Sequence, residues 1–169
     1  MFFIKSKKLM ETDIAELKTA IHQAFAKVRL GAGVSWREAD VIDDYGSAQA
    51  RAAARAQDEQ VDWSKIPYNL IGSLRYQSVT SFFDEEGFRF HLPIIMLYVL
   101  DEYQTSDSVI IGGLISRLTD KRGNKLRTIL NEEQTSCVRQ FLRLLKNEPE
   151  FSFYRKRMGA AAGSIWEPR

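Results

Sequence analysis

The chain has 169 residues, 44% of them apolar and 27% charged, ordinary values for a folded domain that exclude wholesale disorder. Lys and Arg number 24 against 22 Asp and Glu, a net +2, too balanced for a protein defined by its charge toward nucleic acid. The single cysteine, Cys137, excludes an internal disulfide framework and suits a reducing compartment.

Met1-Phe2-Phe3-Ile4 runs straight into Lys5, Lys7 and Lys8, the reverse of a secretory leader, whose charges come first. The longest apolar run, Leu92 to Leu100, is about half of what a bilayer span needs. The expected location is the cytoplasm, with no membrane partner.

The first element is a helix over about Thr12 to Val28. Ile14, Leu17, Ile21, Phe25 and Val28 recur at spacings of three and four and form one apolar stripe. Thr12 is placed to cap it, and Gly31 and Gly33 to end it. Ser35-Trp36-Arg37-Glu38 has the spacing of a capping box and starts a short helix to about Asp44, stopped by Gly46. Ser47 starts another through the alanine-rich stretch to Ala56, strongly helical but with little bulk to bury, so a surface element or one that frays without a partner.

Ile66-Pro67 then interrupts the pattern and leads into Tyr68 to Leu74. The most distinctive stretch follows, Ser78 to Pro93, with Asp84 as N-cap of a short helix and Glu85 and Glu86 in its first turn. Pro93 disfavours helical geometry at Leu92, so a kink or a restart is expected there, before an apolar core helix over Ile94 to Tyr103. Asp107 or Ser108 starts a helix through Val109 to Ile115, with a buried strand over 109–111 as the competing assignment. Asp120 to Lys125 reads as a polar turn. Asn131 and Gln134 open a last helix carrying Val138, Phe141, Leu142 and Leu145. The tail, 148–169, mixes aromatic, basic and small residues and suits either a docked or a mobile segment. The expected fold is mostly α: one compact helical bundle over 1–169, with a kinked core helix after Pro93.

The small net charge hides an uneven distribution. From Glu38 to Asp62 seven acids face two arginines, a net −5, and from Arg117 to Arg169 twelve basic residues face six acids, a net +6. Such segments steer charged partners, or they meet across the fold.

Catalytic signals are weak. Cys137 sits among helix-core residues beside Val138, and nothing local lowers its thiol pKa. Two histidines, His22 and His91, and one cysteine do not make a zinc site, and Asp40-x-x-Asp43-Asp44 puts apolar residues at calcium-ligand positions. Asp84-Glu85-Glu86 offers acid/base groups, but a helix start favours the same residues. Gly31-Ala32-Gly33 and Gly112-Gly113 lack the context of nucleotide-binding loops. Neither cofactor nor metal is expected. Arg139, Arg143 and Lys146 form a basic stripe that, with Phe151, Phe153, Tyr154, Arg155, Lys156 and Arg157, could hold a phosphate backbone.

The stretch from about Leu74 to Leu100, centred on Ser81-Phe82-Phe83 and on Phe88-Arg89-Phe90-His91-Leu92-Pro93, resembles an uncharacterised family of small bacterial proteins. Those carry an aromatic-rich segment, a Leu-Pro pair and an apolar helix. Trp63 and the Gln134–Leu145 helix fit the same pattern, while the acidic 37–60 region lies outside it. The resemblance implies no catalytic residues. By analogy it suggests an immunity protein, which neutralises a toxin by covering its active site.

The expected function is therefore non-enzymatic: binding and occluding a cognate toxin or effector, a nuclease among the candidates. Glu38, Asp40, Asp43, Asp44, Asp58, Glu59 and Asp62 would pair with basic groups on the toxin, with Trp36, Tyr45 or Trp63 as aromatic anchor. Two alternatives remain: a nucleic-acid-binding or regulatory protein using the basic C-terminal segment, and an enzyme or small-ligand module with a pocket near Phe82, Asp84, Glu86 and His91.

Overall fold

The computed structural model describes residues 2–168, with side chains from residue 11 onward. Nine α-helices appear in chain order among those residues: α1 Phe2–Phe25, α2 Trp36–Asp43, α3 Ala48–Arg55, α4 Tyr68–Ile71, α5 Glu85–Glu102, α6 Ile110–Thr119, α7 Lys121–Ile129, α8 Glu132–Leu145 and α9 Arg155–Ala162. Short 3₁₀ turns join several of them, and the described residues form no strand. The fold is all-α, with one apolar core running from Leu17 to Trp166.

Helix α5 is the centre of the molecule. Phe88 and every residue from Phe90 to Leu100 are buried, so this helix is apolar all round and needs neighbours on every side. Helix α1 supplies one of them, packing against α5 and α8 through Leu17, Ile21 and Phe25. Helices α4 and α7 also pack against α5, and α9 covers α6 and α8.

Several expected boundaries hold for the expected reasons. Ser35 and Glu38 form the capping box of α2, and Asn131 and Gln134 that of α8. The Ser47 hydroxyl accepts from the Ala50 N–H to open α3. Asp84 caps α5 by accepting from the Gly87 N–H at 2.8 Å. Helix α6 takes the place of the competing strand over 109–111.

Three expectations are corrected. Helix α1 begins at Phe2, so Thr12 is an interior residue and not its cap. Helix α5 does not restart at Pro93 but runs through it. The missing N–H and the ring's crowding cost about 3 kcal/mol, and burial of the whole surrounding turn outweighs that. The polar run after Asp120 is the first half of α7: Asp120 caps it by accepting from the Arg122 N–H, and Leu126 and Leu130 anchor its far end in the core. Of the two arrangements left open for the tail, the structure has the docked one, with Phe151, Met158, Ala161, Ala162 and Trp166 buried.

Two backbone approaches fix how α5 meets the loop before α2. A Cβ on Gly87 would strike the Val34 backbone and the Asp84 carboxylate, and one on Gly33 would strike the Gly87 backbone. The close fit lets one Asp84 oxygen accept from both Gly87 and Val34 N–H groups, at 2.8 and 2.9 Å. Gly87→Ala is therefore expected to lower stability by about 2 kcal/mol, as overpacking does in a tight core. Urea unfolding measures it, and a change below about 0.5 kcal/mol would show that the two segments can part freely.

Arg117 locks the same region from the other side. It is buried, donates to the carbonyls of Thr80 and Phe83 at 2.8 and 2.9 Å, and lies 4.6 Å from the centre of the Phe88 ring. Among the described residues no carboxylate lies within ion-pair distance of it, and burial lowers its pKa, opposed in part by the more distant Glu85, Asp120 and Asp84. Carbonyl dipoles and an aromatic face thus carry this cation.

Candidate functional site

The acidic segment proves largely self-neutralised. Glu38 is buried, accepts from the Ser35 N–H, and takes Arg51 and Arg55 at 3.1 Å each. Asp58 accepts from both the backbone and the guanidinium of Arg37 at 2.7 Å, with its side chain 2% exposed. Asp40 faces Arg75 at 3.4 Å, and Asp43 accepts from the Ser78 hydroxyl.

Glu59 and Asp62 shape the turn before α4. Amide hydrogen bonds from Asp62 and Val61 hold the Glu59 carboxyl below its ordinary range, and the Ser64 hydroxyl does the same for Asp62. Trp36 and Trp63 belong to the core, at 1% and 2% exposure, so neither can serve as a surface anchor. The Trp63 indole N–H is already spent on the Phe25 carbonyl at 2.8 Å. Burial thus removes Trp36, Trp63, Glu38 and Asp58 from the expected interface.

Asp44 and Tyr45 remain at the tip between α2 and α3. Tyr45 is 97% exposed and adopts φ +55, the only non-glycine residue described with positive φ. Its N–H bonds the Ile42 carbonyl and the Gly46 N–H bonds the Val41 carbonyl, the Schellman pattern that ends a helix. In that pattern the left-handed position normally carries glycine, and here it carries a tyrosine. Glu59 lies at the opposite end of α2, beside Asp58 and Arg37, about 12 Å of helix away. The seven acids do not form one patch.

A second feature lies at the start of α2. Trp36, Arg37, Asp58, Pro67, Leu70 and His91 line a cleft of about 370 Å³. His91 is wholly buried, stacked on Phe83 at 4.5 Å and edge-on to Trp36 at 5.5 Å. Its Nδ1 lies 2.7 Å from the Gly87 carbonyl, which only accepts, so Nδ1 carries the hydrogen. Burial pushes the His91 pKa down to about 4, so the ring is neutral and Nε2 presents a lone pair. Neither His91 Nε2 nor Trp36 Nε1 has a hydrogen-bond partner among the described residues, and both atoms are closed to solvent.

The expected grouping of Phe82, Asp84, Glu86 and His91 does not form around this cleft. Asp84 is the α5 cap, and Glu86 pairs with Arg89 at 2.7 Å. The capping box, which fixes Trp36 at the first helical position, was the one sequence signal for the Trp36–His91 pair.

The remaining candidates have structural surroundings. Cys137 is buried, and that burial pushes its thiol up to about 11. His22 is exposed and lies against Trp63 at 5.3 Å. No group of three or more His, Cys, Asp or Glu side chains that could hold a metal ion occurs among the described residues. No helix among them is long and apolar enough to cross a membrane. The basic stripe is partly spent on the tail: Arg139 donates to the Trp166 carbonyl at 2.8 Å and Arg143 pairs with Glu167 at 3.2 Å.

No curated protein and no solved structure matches the chain. A family of unknown function, DUF6714, matches over residues 13–169, so the acidic 37–60 region lies inside the match and not beyond it. With all but the first dozen residues covered, the chain belongs to that family of unknown function.

Proposed function

We propose that the protein is a non-enzymatic, immunity-type binder that neutralises a bacterial toxin or effector, a nuclease among the candidates, by covering its active site. The observation that carries this is Tyr45. A bulky residue in the left-handed region costs about 1 kcal/mol over glycine, and a helix end gains nothing from it. A strained position occupied by a ring that is 97% exposed points to a role outside the fold. Tyrosine is among the residues that dominate binding energy at interfaces, and Asp44 beside it supplies a free carboxylate for a basic partner.

Capture from a lysate of the protein's own source, read by mass spectrometry, would identify the partner, and inhibition of that partner's activity in vitro would test occlusion. Tyr45→Gly is expected to raise stability by about 1 kcal/mol while weakening the complex at least tenfold. Asp44→Lys should slow association and flatten its salt dependence. A Tyr45→Gly protein that inhibits the toxin as well as the parent would remove the tip from the interface.

One observation favours the nucleic-acid alternative. Phe153 is 84% exposed, edge-on to Tyr154 at 5.1 Å, and is followed by exposed Arg155, Lys156 and Arg157. An aromatic face beside three cations suits a stacked single-stranded base. This reading predicts oligonucleotide binding that falls steeply with salt and is lost in Phe153→Ala. No shift of a labelled oligonucleotide at low salt would dispose of it.

A further inference from the structure

We propose that the face around Phe153 pairs with the same face of a second copy of this chain, as a weak two-fold dimer. The ring of Phe153 is 84% exposed and stands beside a cleft of about 330 Å³ between the start of α6 and the segment before α9. Val109, Ile111, Phe151 and Tyr154 give that cleft apolar walls, and Val109 is itself 59% exposed. Tyr154 joins the two features. Its ring meets Phe153 edge-on at 5.1 Å, and its hydroxyl lies over Gly112, where a Cβ would stand 2.7 Å from it. Knob and hole thus share one surface, and a two-fold axis between two copies seats each knob in the other's hole. A cleft of this size holds about eleven waters, ample room for a phenyl ring.

Charge selects a copy of the same chain over other apolar partners. Exposed Lys156 and Arg157 follow the knob, and exposed Asp107 and Glu150 rim the hole. None of these four joins an ion pair among the described residues. The arrangement that seats Phe153 brings the basic flank of each copy toward the acidic rim of the other. Each Phe153 buries about 200 Å² and covers a similar area of the hole, about 800 Å² for the two contacts together. With its charged rims the interface reaches the lower end of specific ones, so the dimer depends on concentration. This face shares no residue with the Tyr45 tip, so the dimer and the immunity-type reading stand or fall separately.

Sedimentation velocity on the full chain, freed of nucleic acid, tests the dimer between about 5 and about 500 µM. The mass should climb from one chain toward two over that range. Raising salt from about 50 to about 500 mM should move the midpoint about tenfold upward in concentration. Phe153→Asp should stay a single chain at the highest concentration. Val109→Asp should do the same, and it keeps the fold because Val109 is the N-cap of α6, where aspartate is favourable. In a mixture of isotope-labelled and unlabelled parent, filtered NOEs should join the Phe153 ring of one copy to Val109 and Ile111 methyls of the other. The dimer is overturned if the parent stays a single chain throughout, and a single chain that shifts a labelled oligonucleotide gives Phe153 to nucleic acid instead. It is equally overturned if Phe153→Asp associates as the parent does, if the filtered NOEs are missing, or if added salt leaves the midpoint unchanged or lowers it.

Discussion

Trp166→Ala should cost about 4 kcal/mol, as truncation of a fully buried indole does. The reason is that the last turn of the chain is part of the core. Trp166 is 0% exposed and donates its indole N–H to the Leu118 carbonyl at 2.9 Å. Leu118 sits in the last turn of α6, where carbonyls lack an intrahelical partner, so the tryptophan caps that helix from a distance of 48 residues. Arg139 of α8 donates in turn to the Trp166 carbonyl, tying three elements at one point. Trp166→Phe keeps most of the apolar area and loses the hydrogen bond, so it should cost about 1.5 kcal/mol. Urea unfolding separates the two, with the midpoint moving and the slope unchanged. A loss below about 1 kcal/mol for Trp166→Ala would make the tail an appendage rather than a wall of the core.

The tail shows why some of the fold was legible in the sequence and some was not. Local rules decided the caps: Ser35 with Glu38, Asn131 with Gln134, and Asp84 each act within three residues, and all three act in the structure. Periodicity likewise decided the buried face of α8. Pro93 failed as a helix breaker because its local penalty is set against burial of the surrounding turns, which no window of sequence contains. Asp120 to Lys125 failed because a cap followed by polar residues looks like a turn until Leu126 and Leu130 find the core.

The candidate site divides the same way. Charge counting gathered seven acids into a surface, but six of them have partners supplied by chain up to 35 residues away or serve local turns. The capping box itself already assigned Glu38 an intramolecular task, so its removal from the interface was readable in advance. Tryptophan suits both interfaces and cores, and only the packing assigns Trp36 and Trp63 to the core. Arg117 is one cation among many by sequence, since a buried cation held by carbonyls leaves no pattern there.

His91 should make the protein acid-sensitive well above the carboxylate range. Its folded pKa is about 4 against an ordinary 6.5, chiefly because burial among Trp36, Phe83 and Phe90 disfavours the charged ring; the more distant Asp58 and Asp84 carboxylates oppose this only in part. Between those two values the unfolded chain binds the proton and the folded chain does not. Stability from this group is thus complete above pH 6.5 and is lost as pH falls toward 4, by about 3 kcal/mol in all. Glu59, Asp62 and Asp120, whose carboxyls are held below their ordinary pKa values, also lose their contribution in acid, overlapping only the lower end of the window His91 opens. His91→Phe isolates the imidazole, because those carboxylates titrate equally in both proteins. The difference in unfolding free energy between parent and variant should be flat above pH 7 and move by about 2.5 kcal/mol in the variant's favour by pH 4.5. Parallel curves across that range would mean that His91 titrates in the fold as it does in the unfolded chain.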